Sequence, residues 1–183
     1  DLPNTRILTL TGPGGIGKTR LALEAARKQT SFSDRIYFVP LQPLTSPDHI
    51  VSAIAEAVGF QFYPGGEPAQ QLLDFLREKS LLLVLDNFEH LLDGAGFVSE
   101  LLTSAPAVKV LVTSREALNL QEEWLYPLKG LRVPHNDRAT NPEDYSAVRL
   151  FAQTARRIRA DFSLADEEAG VVRICALVEG MPL

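Results

Sequence analysis

Gly12, Gly14, Gly15 and Gly17, followed at once by Lys18 and Thr19, are the residues of this 183-residue chain whose types and spacing point most directly to chemistry. The run Gly12-Pro13-Gly14-Gly15-Ile16-Gly17-Lys18-Thr19 fits G-x-x-x-x-G-K-[ST]. Glycines reach backbone angles closed to other residues, so consecutive N–H groups can turn inward and wrap a β-phosphate at a helix N-terminus. Lys18 then supplies a point charge between β- and γ-phosphates, and the Thr19 hydroxyl a ligand for Mg²⁺. The same pattern arises by chance in loops, so its flanks decide. Ile7-Leu8-Thr9-Leu10 before it has the composition of a strand, and Leu21, Ala22, Ala25 and Ala26 after it form a helical stripe. Read in that context, Gly12, Gly14, Gly15, Ile16, Gly17, Lys18, Thr19 and Arg20 are the candidate nucleotide contacts.

One carboxylate belongs with this loop. Asp86 follows five aliphatics, Leu81-Leu82-Leu83-Val84-Leu85, where a charge is costly unless it meets a cation or hydrogen-bond donors at a strand tip. A Mg²⁺ ion on Thr19 would be such a partner, which makes Thr19 and Asp86 the candidate metal ligands. Arg115 ends the run Val108 to Val112 with Thr113-Ser114, and its guanidinium is suited to reading a γ-phosphate as a bidentate donor. Asn87 stands where many phosphate-loop ATPases have a carboxylate to orient or deprotonate the attacking water. An amide positions water but does not take its proton, so either Glu89 substitutes or hydrolysis is slow. Lys18, Asp86, Arg115 and Glu89 are thus the candidate catalytic groups. His49, His90 and His135 lack metal-ligand spacing, and His90 reads as a surface or supporting residue.

The elements that must position these groups alternate along the chain. Apolar runs at Ile7–Leu10, Arg35–Val39, Leu81–Leu85 and Val108–Val112 read as strands covered on both faces, and Leu125–Leu128 as an edge strand burdened by Pro127. Helices are expected over Thr19–Lys28, after Ser46-Pro47-Asp48 up to Gly59, around Leu72, Leu73 and Leu76, and around Phe97, Val98, Leu101 and Leu102. Such alternation implies an α/β fold with a parallel sheet between helical layers and ligand chemistry at the carboxyl ends of the strands. Val133 to Pro142 is polar and punctuated by proline, so residues 134–142 read as a linker between an α/β domain over 1–133 and a helical subdomain over 143–183. In the latter, Val148, Phe151, Ala152, Ala155 and Ile158 form one stripe. Val171, Ile174, Cys175 and Val178 form another, opened by a capping sequence at Ser163–Asp166.

Composition narrows the partners. A net charge of −5 without a long Lys/Arg block disfavours direct nucleic-acid binding. The single cysteine, Cys175, lies in an apolar helical pattern and reads as an inert core residue in a reducing compartment. No apolar run reaches the roughly 18 residues of a membrane span, so a cytoplasmic location is expected.

Thr9–Ala22, Leu83–Leu91, Val112–Glu116 and Gly180-Met181-Pro182-Leu183, four motifs in order over nearly the whole chain, resemble the STAND class of signal-transduction ATPases. The likeness is to the nucleotide-binding module of bacterial AfsR- and LuxR-type regulators, related to NB-ARC domains. That resemblance implies a three-layer P-loop NTPase fold with sheet order 5-1-4-3-2, Arg115 as the first sensor of the γ-phosphate, and Pro182 packed near the adenine, with the nucleotide between the two subdomains. It further implies other domains in the same longer chain, self-assembly in the ATP state, and an excised module cut at both ends.

The function expected from these residues is an ATP/ADP switch with slow hydrolysis. A small-molecule kinase is a second reading, for which neither 64–71 nor 119–124 offers an arginine-rich lid. A ring-forming AAA+ ATPase is a third, against which Asn87 weighs.

Overall fold

Leu82-Leu83-Val84-Leu85-Asp86 shows how this sequence builds a sheet buried on both faces. Side chains alternate across a strand, so Leu82 and Val84 point to one side and Leu83 and Leu85 to the other. Both sides are apolar because both are covered. Leu82 and Val84 join Leu10, Leu111, Ala22 and Ala26 in one core cluster, whereas Leu83 and Leu85 join Ile7, Val110, Val112 and the apolar faces of three further helices in a larger one.

The computed structural model describes residues 5–30, 32, 35–134 and 141–182. Its strands are β1 (Ile7–Thr11), β2 (Ile36–Pro40), β3 (Leu82–Asp86), β4 (Lys109–Ser114) and β5 (Glu123–Pro127). They form one five-stranded sheet of order β2-β3-β4-β1-β5, parallel throughout. This is the expected 5-1-4-3-2 order. Helix α1 (Lys18–Arg27) covers one face, and α2 (Ile50–Val58), α3 (Pro68–Leu76) and α4 (Ala95–Ser104) cover the other.

Several boundaries differ from the sequence reading. The segment after Ser46 begins as a single 3₁₀ turn, Pro47–His49, capped by Ser46, before α2 starts at Ile50. Leu21 of the α1 stripe is 40% exposed, so Ala22 and Ala26 carry the packing of this helix. The edge strand is Glu123–Pro127 rather than 125–128. Pro127 is tolerated because it is the last residue of the strand, and the next amide, of Leu128, donates to the Thr11 carbonyl at 2.8 Å.

By its contacts the chain divides into two units: the sheet with α1–α4 (up to Pro13, then Lys18–Leu128), and a second unit of Gly14–Gly17 with the chain from Lys129. The second unit contains α5 (Ser146–Ile158) and α6 (Leu164–Leu177), packed around Ala147, Val148, Ala152, Phe162, Leu164, Val171 and Cys175. Ser163 caps α6 by accepting from the Asp166 amide, as its sequence foretells. Ile174, expected in the buried stripe, is 45% exposed, because two helices bury only a narrow seam. Backbone meets backbone where Leu131 N–H donates to the Gly180 carbonyl at 2.9 Å. A Cβ on Gly180 would lie 2.0 Å from the Leu131 carbonyl oxygen, and Gly180 has φ +70, so only glycine fits there. Most of the expected linker, His135 to Thr140, lies outside the described residues, as does Leu183 of the last motif.

Candidate phosphate and metal site

β1 runs directly into the glycine loop, and α1 begins at Lys18. Gly15 and Gly17 adopt φ of +79 and +95, angles that L side chains avoid, so the loop turns its amides where a side-chain-bearing residue would not. Ile16 is the buried anchor of the loop at 7% exposure, and Arg20 is exposed on the first turn of α1. The Lys18 ammonium donates to the carbonyls of Gly12 at 2.6 Å and Pro13 at 3.0 Å. Desolvation pushes the Lys18 pKa down; Glu89 and Asp86 pull it up, and Arg115 pushes it down. The four candidate catalytic side chains therefore share one electrostatic neighbourhood.

At the tip of β3, Asp86 Oδ1 accepts two hydroxyls, from Thr19 Oγ1 and Thr113 Oγ1, each at 2.7 Å. Thr113 Oγ1 in turn accepts the Asn87 amide at 2.9 Å. The strand carboxylate is thereby fixed from its buried side by Thr113, which is 1% exposed, and meets the loop hydroxyl from the exposed side. In the sequence Thr113 marks the end of a strand and falls within the Val112–Glu116 motif, without a role of its own at the site. A hydroxyl closing a buried strand next to the strand that carries Asp86 is the signal that could have found it.

Asn87 has φ +69 and ψ +55, left-handed angles that asparagine adopts more readily than most residues. Its Nδ2 faces His90 Nδ1 at 3.5 Å, and His90 Nε2 lies 3.0 Å from the Leu44 carbonyl. Because a carbonyl only accepts, the His90 proton belongs on Nε2 and Nδ1 is the acceptor for Asn87. His90 is thus a supporting residue for the Asn87 amide.

Arg115 and Glu89, read separately in the sequence, are partners: Arg115 Nε lies 3.0 Å from Glu89 Oε1. The arginine side chain is 66% exposed and the glutamate 14%. Glu89 Oε2 is buried with no hydrogen-bond partner among the described residues. Pro182 belongs to the second unit, where its Cγ would lie 3.5 Å from a Cβ built on Gly17.

The donor set suits a hard divalent cation. Thr19 and Asp86 offer two oxygens side by side, and Mg²⁺ characteristically takes one or two protein oxygens and fills its octahedron with water and phosphate. No cluster of three or more His, Cys, Asp or Glu positioned for a metal occurs among the described residues, and a magnesium site of this kind does not require one. No helix among those residues is long and apolar enough to cross a membrane.

A glycine loop opening a helix after an inner strand, with an aspartate on a nearby strand of a wholly parallel sheet, defines a P-loop NTPase-like domain. Residues 3–121 match the AAA domain family, and the chain belongs to that family. Asn87 therefore does not exclude membership. Over its whole length the chain is 36% identical, across 184 residues, to a Mycobacterium tuberculosis protein named as a candidate HTH-type transcriptional regulator, of which it spans 20%. It is 35% identical over 185 residues to an uncharacterized protein of the same species, of which it spans 44%. Among solved structures it is similar to a STAND protein with a tetratricopeptide repeat sensor from Pyrococcus horikoshii (TM-score 0.54, 18% identity, 97% of this chain and 26% of that one). It is also similar to Cdc6p from Pyrobaculum aerophilum (TM-score 0.55, 21% identity, 69% of this chain and 39% of that one).

Proposed function

We propose that this AAA-type domain is the ATP/ADP-binding switch of a longer signal-transduction or transcription regulator, of the STAND class and NB-ARC-like, with slow ATP hydrolysis. The observation that carries the reading is the 2.7 Å hydrogen bond from Thr19 to Asp86, which joins the hydroxyl of the phosphate-loop motif to the strand carboxylate. In this reading the loop amides and Lys18 bind the β- and γ-phosphates, Lys18 exchanging the carbonyls of Gly12 and Pro13 for phosphate oxygens. Thr19 and Asp86 hold Mg²⁺, which when bound neutralises phosphate charge and orients the terminal group. Thr113 keeps the Asp86 carboxylate in place. Arg115 takes the γ-phosphate, and Asn87 orients the attacking water without removing its proton. Glu89 is the nearby group able to act as base. Pro182 contacts the base, a role that rests on motif resemblance.

The regulator reading is supported by similarity, over the whole of this chain, to 20% of a much longer protein named as a candidate HTH-type regulator. Nucleic-acid contact then belongs to other parts of such a protein, the ATP state favours self-assembly, and the location is cytoplasmic. The test is calorimetric titration of the chain with ADP and a non-hydrolysable ATP analogue, with and without Mg²⁺, for the wild type and Lys18→Ala. Binding by the wild type and its loss in a folded Lys18→Ala chain are expected. Unchanged affinity in the folded variant would sink the site.

A further inference from the structure

Three facts about Glu89 converge. One carboxylate oxygen is held by Arg115 at 3.0 Å, the other is buried without a partner among the described residues, and the side chain is only 14% exposed. A buried, half-satisfied carboxylate is a costly feature, and it persists where a neighbouring cation or a ligand compensates it. The cations in reach are the two that a triphosphate needs. Arg115 is bonded to it directly, and Glu89 exerts the strongest charge–charge influence on Lys18. Glu89 thus presents an anion to the same two side chains that the terminal phosphate would engage.

We propose that Glu89 is an internal competitor for the terminal phosphate, and that the Glu89–Arg115 pair sets how strongly the site prefers a nucleoside triphosphate over a diphosphate. The inference rests on the nucleotide reading above and adds the determinant of its specificity. A diphosphate leaves the pair intact, so binding it does not disturb Glu89. A triphosphate takes the Arg115 guanidinium for its third phosphate and displaces the carboxylate, which then carries its negative charge beside the new anion. The affinity for triphosphate is lowered by the lost ion pair and by that repulsion, whereas with a diphosphate Arg115 stays on Glu89 and offsets its charge.

The experiment compares calorimetric affinities for ADP and a non-hydrolysable ATP analogue, both with Mg²⁺, in the wild type, Glu89→Gln, Glu89→Ala, Arg115→Ala and the Glu89→Gln/Arg115→Ala double variant, with circular dichroism as the check of fold. Removing the charge in Glu89→Gln should tighten the ATP analogue by about fivefold, the upper end for a partly exposed ion pair, with ADP unchanged. Glu89→Ala should shift the ratio in the same direction. In the Arg115→Ala background the Glu89→Gln gain should shrink, because the competition has lost its object. A merely structural Glu89 would move both affinities together, and that result, or a weaker ATP analogue in both Glu89 variants, overturns the competitor. A wild-type chain that binds neither nucleotide overturns the nucleotide reading itself, and the competitor with it.

Discussion

Thr19 Oγ1 donates to Asp86 Oδ1 at 2.7 Å across a sequence separation of 67 residues. The contact exists because β1 and β3 both flank β4, so the loop leaving β1 and the tip of β3 come to the same end of the sheet. Asp86→Asn keeps the shape and an acceptor oxygen but removes the charge. Mg²⁺-dependent affinity for the ATP analogue should fall by about tenfold or more, the scale seen when groups at a metal site are changed, while metal-free ADP binding changes little. Titrations with and without Mg²⁺ decide, and equal losses in both would assign Asp86 to the scaffold alone.

Thr113 serves two partners at once, donating to Asp86 and accepting from the Asn87 amide. Thr113→Val preserves the volume, strands the Asn87 backbone N–H and leaves Asp86 Oδ1 with the Thr19 hydroxyl alone. A loss of about 1–3 kcal/mol is expected, the cost of leaving a partly buried donor unpaired. Urea unfolding measures it, and an unchanged midpoint would show that water replaces the hydroxyl.

Asn87 sits at φ +69, where a β-carbon without a compensating local hydrogen bond costs about 1–2 kcal/mol. Asn87→Ala should therefore be destabilised by about 1 kcal/mol relative to Asn87→Gly in thermal unfolding, despite the greater chain entropy of glycine. The same angle bears on catalysis. Restoring a carboxylate is better done with aspartate, which tolerates this region, and Asn87→Asp should raise single-turnover ATP hydrolysis if the shorter side chain reaches the water. No gain in a folded variant would point to Glu89 as the base already in use.

How the sequence foretold some of this and not the rest follows from what is local. The glycine loop, the β3 run ending in Asp86 and the Ser163 cap are contiguous patterns, and each formed where its spelling put it. The Glu89–Arg115 pair was illegible, because it depends on β3 and β4 being neighbours and on Arg115 turning toward the β3 side. Each residue carries its own signal in the sequence, and nothing local marks their mutual contact. Ile174 failed for a different reason: helical periodicity marks an apolar face but not how much partner surface covers it.

Gly180 meets the Leu131 carbonyl so closely that a methyl group has no room, and its φ of +70 is unfavourable to alanine as well. Gly180→Ala should loosen the second unit. Hydrogen exchange is expected to accelerate at the amides of Leu131 and of α5 and α6, with β3 and β4 protected as before. Uniform loss of protection through both units would mean that they unfold together.

Burial pushes the Cys175 thiol up from its ordinary value. The folded chain then keeps a proton that the unfolded chain begins to release in the alkaline range, so folding holds more protons there and stability falls as pH rises. The contribution is fully present below the ordinary thiol range. The stability difference between wild type and Cys175→Ala should accordingly shrink between about pH 7 and pH 10, read by urea unfolding. A constant difference would mean that the thiol reaches solvent, which rapid native-state alkylation would also reveal.

Ile7 pairs with Val110 on one side and Glu123 on the other. On the ribosome, the strand made before the other four therefore waits for partners about a hundred residues downstream, and it cannot be closed into the sheet by any local turn. Until β4 and β5 have emerged, β1 has neither of the strands it pairs with, and the glycine loop follows a strand not yet held in a sheet. The glycine loop thus follows a strand that is fixed in the sheet only after its two neighbours have been made, and a chain stalled before them exposes apolar strand faces and unpaired edges, features that favour aggregation.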